Sequence, residues 1–168
     1  MKTARNMFCD ARGFIGLTVM SLCLLTGFWA TEAMATAQSR RVVTDSFSGY
    51  AIYGYDPVAY FTDHAAKRGK REYEFVWNGV SWLFETRANL EVFKADPDVY
   101  APAYGGHGAL AMARGYAAGC NPTVWALYGD RLFLFYTHTS RAAWAEAVEA
   151  HIRKSDEVWT VLEGTLSR

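Results

Sequence analysis

Residues 73–84 read YEFVWNGVSWLF: five residues that alternate, Asn78-Gly79, and five that return. A two-residue turn that follows the natural twist of paired strands needs positive φ at both central positions. Asn and Gly reach that conformation at least cost, so this stretch predicts a β-hairpin closed at Asn78-Gly79. The pattern recurs further on, with Thr123–Tyr128, a Gly129-Asp130 turn and the returning run RLFLFY at 131–136. Two strands and a turn appear twice, while the sequence around them shows no repeat.

Helices are expected between and after the hairpins. Thr86 is placed to cap a helix through ANLEVFKA, with Leu90 and Phe93 on one face and Asp96-Pro97 as its stop. A longer helix is predicted from about Ser140 to Lys154, because Ala143, Trp144, Ala147, Val148, His151 and Ile152 recur at helical spacing. Glu146 and Glu149 fall on its wet side, and Trp159 in the tail is expected to pack back. Gly54 and Asp56-Pro57 mark a turn before a short apolar run, and 64–72 reads as a charged loop. The expected class is α+β: two hairpins forming one antiparallel sheet, packed against a few helices.

The N-terminus reads as a secretory leader over residues 1–37. Lys2, Arg5 and Arg12 precede the apolar run from Phe14 to Ala30, and Ala33, Ala35 and Ala37 offer small-residue cleavage sites. The alternative is an uncleaved membrane anchor, since the run reaches the short end of a spanning helix. The periplasm is the expected location. Residues 38–50 read as an extended lead-in, 51–160 as the domain and 161–168 as a tail. The leader carries Lys2, Arg5, Arg12, Asp10 and Glu32, so removing it from a balanced 17 cations and 17 anions leaves a net charge of −1. Without a basic stripe, nucleic acid and anionic lipid are not expected partners, and no membrane contact is expected after cleavage. Cys120 is the one cysteine beyond the leader, which excludes an internal disulfide there.

In GYDPVAYF (54–61), WNGVSWLF (77–84), FKADPDVYAPAYGG (93–106) and the WALYGDRLFLFY hairpin (125–136) followed by Trp144, the chain resembles the YHS-domain family, in its exported single-domain bacterial branch. The resemblance spans roughly residues 50–160 and implies a small YHS-like α+β domain. Many members of that family and its zinc-ribbon-like relatives hold metal with cysteines. At the matching positions this chain has Ala59, Glu85 and Asn89, and where the branch reads YGGYCAY it has YGGHGAL, with His107, Gly108 and Leu110 substituted. The soft thiolate set is absent, so no cofactor is expected. If a metal binds, His107 and Cys120 are the residues for it.

The segment YGGHGALAMARG (104–115) is the leading candidate site. Gly105 and Gly106 would let the chain turn into a helix whose first amides favour an anion, and His107, Ala111 and Arg114 would share one face of it. Tyr53, Tyr55, Tyr60, Tyr100 and Tyr104, with Trp77 or Trp82, are candidates to line a pocket for a ring-bearing ligand. The expected ligand-binding residues are therefore His107, Arg114, Gly105, Gly106, Tyr104, Tyr55 and Tyr60. No nucleophile elbow, zinc-protease motif or phosphate loop is present, and Asp56, Asp63 and Glu85 show no sign of converging as an acid–base pair. The reading is a non-catalytic exported module that binds a small molecule or a protein partner. Its alternative is a periplasmic metal-handling accessory using His107 and Cys120.

Overall fold

The computed structural model describes residues 41–166; the leader assigned to 1–37 lies outside them. Helices and strands combine in an α+β architecture. A 3₁₀ turn (Ile52–Gly54) leads to α1 (Ala59–Thr62), the hairpin β1 (Lys70–Trp77) and β2 (Val80–Phe84), then α2 (Arg87–Ala95) and α3 (Pro97–Tyr100). The same succession follows again: a 3₁₀ turn (Ala103–Gly106), α4 (Ala109–Ala113), β3 (Asn121–Tyr128), β4 (Arg131–Phe135), α5 (His138–Ala145) and α6 (Val148–Leu162).

This is an internal duplication at a constant spacing of 51 residues, and it reaches down to single dihedral angles. Tyr53 and Tyr104 both sit at φ 58°, with ψ of 27° and 32°. The hairpin turns pair Asn78 and Gly79 (φ 50° and 76°) with Gly129 and Asp130 (φ 55° and 57°). Each hairpin carries the same register shift, between Lys70 and Glu74 in one and between Asn121 and Trp125 in the other. Thr86 caps α2 by accepting from the Asn89 amide, as Thr137 caps α5 by accepting from that of Ser140. The sequence hides the repeat because few residues match at this spacing, among them Tyr53/Tyr104, Leu83/Leu134, Phe84/Phe135 and Thr86/Thr137. Backbone conformation is kept while side chains differ.

Two expectations are corrected. The hairpins do not join into one sheet; each is a separate two-stranded antiparallel sheet. Each ribbon is stabilised by an aromatic cluster with its following helix rather than by strand neighbours. The helix expected over 140–154 is also divided. Ala147 takes φ −151°, ψ 58°, nearly the conformation of Asp96 (φ −150°, ψ 79°) at the matching place. Before Pro97 that break is dictated by proline. At Ala147 it is supported by a local bond across the break, the carbonyl of Trp144 accepting from Nδ1 of His151 at 3.0 Å. α6 then runs on to Leu162, taking in Trp159 and the first residues of the tail expected over 161–168.

Strand β4 is the wall between the two cores. Successive side chains point to opposite faces, so Leu132 and Leu134 enter the first core while Phe133 and Phe135 enter the second. The lead-in is not merely extended: Val42 and Val43 are buried in the first core, and the Val43 amide donates to the Gly105 carbonyl at 2.9 Å. Gly105 has φ 61°, and a Cβ there would overlap the Arg41 carbonyl, so this corner requires glycine.

Candidate functional site

A cleft of about 600 Å³ opens where the two hairpin tips approach each other. Trp77, Asn78 and Val80 come from the first tip, Asp130 and Arg131 from the second. Asp98, Val99 and residues 101–105 also line it, with Arg41 and Val42, Trp159 of α6 and Glu163 just beyond that helix. The duplication explains the location: the cleft is lined by the turn regions of both hairpins and by the segment that links the first copy to the second.

Aromatic rings make the floor. Trp82 (1% exposed) and Tyr104 (3%) are buried, while Trp77 and Trp159 are half-buried and line the open part. The floor is fixed by a hydrogen-bonded triad. Arg131 donates from both terminal nitrogens to Asp156, at 2.9 and 3.2 Å, and the Tyr104 hydroxyl donates to the same carboxylate at 2.9 Å. The guanidinium also lies 5.5 Å from the Tyr104 ring centroid and 5.1 Å from that of Phe133. Burial, then the bond to Asp156, pushes the Tyr104 hydroxyl above its ordinary pKa. Burial draws the Asp156 carboxyl upward, but hydrogen bonds from Arg131 and Tyr104 outweigh it and hold the carboxyl below the usual range. At the rim, Arg41 pairs with Glu163 at 2.8 Å.

Of the residues expected in a site, Tyr104 and Gly105 line this cleft, together with Trp77 and Trp82. The others do not join them. Gly106 is buried, and a Cβ there would press on Ile52. His107 is 4% exposed, its Nδ1 donating to the Ala118 carbonyl at 3.1 Å and its ring against Trp159. It precedes α4, whereas Arg114 follows that helix as an exposed residue, so the shared helical face does not form. Nor does α4 open an anion site: it is five residues long, and the Gly108 amide at its start donates to Ala118. Arg114 lines a separate hollow of about 220 Å³ with Tyr116 and Tyr136. The tyrosine cluster is dispersed as well. Tyr60 is buried, donating to the Pro122 carbonyl at 2.9 Å, Tyr55 lies under Arg68, and Tyr100 packs edge-on against Phe61.

Arg131, Asp156 and Trp159 were not legible as site residues. They stand at the start of β4 and on α6, whose approach to Tyr104 depends on packing between distant segments. Among the described residues, no three His, Cys, Asp or Glu side chains converge on a point that could hold a metal. Burial pushes the Cys120 thiol up to about 12, so in the metal-free protein it is protonated at neutral pH. Among the same residues, no helix is long and apolar enough to cross a membrane. Compared with known proteins, the chain matches no family model, no curated protein and no solved structure.

Proposed function

We propose that this protein is an exported, non-catalytic binding module on a YHS-like scaffold, and that the cleft between its hairpin tips takes a small ring-bearing molecule. The observation that carries this is the cleft itself: about 600 Å³, within the range of small-molecule sites, with tryptophan rings at its mouth and a pre-set floor. The Arg131–Asp156–Tyr104 triad locks the floor in place, so little ordering cost is left for binding. Its basic groups are engaged in ion pairs with carboxylates, Arg41 with Glu163 and Arg131 with Asp156, which supports a role in recognition. Export to the periplasm rests on the leader sequence, and the YHS assignment on the quoted motifs.

Native mass spectrometry of gently isolated protein tests the reading. A co-purifying organic mass that Trp77→Ala removes is the expected result. A spectrum that is bare of ligand in every preparation, with tryptophan fluorescence indifferent to a panel of ring compounds, would count against it. A bound metal lost in both His107→Ala and Cys120→Ala would instead favour the metal-handling alternative.

A further inference from the structure

We infer that the ligand of this cleft is a ring-bearing organic cation that carries an alkylammonium or quaternary ammonium group. The inference rests on the binding reading above and narrows it from a ring-bearing molecule to a positively charged ring-bearing one.

The charge balance of the cleft points this way. Its cations are neutralised within the protein, Arg41 by Glu163 and Arg131 by Asp156. Two lining carboxylates are not: Asp98, in the first turn of α3, and Asp130, in the second hairpin turn, are exposed and take no hydrogen bond or ion pair among the described residues. They stand on different elements around one cavity, with the half-buried rings of Trp77 and Trp159 also lining it. Aromatic faces attract cations through their quadrupole, and carboxylates at a rim add charge complementarity. An anion would meet two uncompensated negative charges there, and a neutral ring would gain the aromatic contact alone.

The duplication supplies an internal comparison. Tyr128 and Glu149 stand in the second copy where Trp77 and Asp98 stand in the first. There the ring carries a hydroxyl, which donates to the Glu149 carboxylate at 3.1 Å. The second copy thus satisfies its carboxylate internally. The first has an indole in the tyrosine's place and leaves Asp98 without such a donor.

The test is calorimetric titration of the full chain with three probes of similar size: phenyltrimethylammonium, benzyl alcohol and benzoate. The expected order puts the ammonium tightest, by about tenfold over the alcohol, with benzoate weakest. Added salt should weaken the ammonium and leave the alcohol unchanged. Asp98→Asn with Asp130→Asn should remove most of the ammonium's advantage without altering alcohol binding; both positions are exposed, and Asn tolerates the positive φ of residue 130. Alcohol or benzoate binding as tightly as the ammonium would overturn the cation inference and leave the ligand-binding reading intact. Failure of all three probes up to about 10 mM would overturn it too, and native spectra bare of ligand would then remove the broader reading as well.

Discussion

Phe93 and Trp144 are the same residue of one structural unit, met twice 51 positions apart. Phe93 meets Trp77, Trp82 and Phe84 at interplanar angles of 90°, 33° and 51°. Trp144 meets Tyr128, Phe133 and Phe135, their counterparts, at 87°, 38° and 61°. A helix side chain thus seals each hairpin in the same geometry, with different rings.

Truncating either keystone should be costly. Phe93→Ala or Trp144→Ala removes a buried ring that its neighbours cannot refill, a loss of about 3–5 kcal/mol by urea denaturation. Because β4 serves both cores, either variant should still unfold in one transition, with fluorescence and far-ultraviolet dichroism superimposing. Two separated transitions would show that the copies fold independently.

Asp56 should prove structural. This fully buried carboxylate accepts from the amides of Val58 and Ala59, from the Glu85 amide and from the Asn89 side chain, joining α1 to the start of α2. Asp56→Ala strands those donors and should cost about 3 kcal/mol or more. Asp56→Asn, keeping one acceptor oxygen, should cost less. Equal stability of Asp56→Ala and wild type in urea melts would refute this role.

Cys120 should resist thiol reagents until the chain unfolds. Its folded pKa of about 12 lies above the ordinary thiol value of 9.0, so the folded state holds its proton more tightly than the unfolded chain. The stability this represents is complete below about pH 9 and is lost as pH rises towards about 12. Cys120→Ala should show a flatter fall in Tm over that window; Tyr60 and Tyr104, whose hydroxyls are also pushed up by burial, leave a residual slope. Rapid labelling of native protein at neutral pH would contradict the burial of this thiol.

The Tyr104–Asp156–Arg131 triad predicts an acid dependence of opposite sign. Asp156 is held below its ordinary pKa, so its contribution is present above the unfolded value and disappears as pH falls through the folded one. Asp156→Asn should therefore be less stable than wild type at pH 7, the two converging in acid. The partial exposure of both charged partners keeps the effect small. A gap in Tm that persists unchanged to low pH would place the effect in packing instead.

Much of the local structure was readable in residue order because it depends on neighbours in the chain. Asn78-Gly79 and Gly129-Asp130 turn the hairpins, Thr86 caps α2, and Asp96-Pro97 ends it. In the site, Tyr104, Gly105, Trp77 and Trp82 were found by their type. His107 and Arg114 were expected to act together because a helix was drawn through both, whereas the chain turns after the glycines and buries the histidine first.

What residue order alone determined, then, is the hairpins, their turns and the helix caps, which follow from dihedral preferences that each residue carries with it. Tertiary structure decided the rest. The two separate sheets and the meeting of Arg131 with Asp156 arise between residues distant in sequence, where packing and charge pairing act through space and leave no periodic trace along the chain.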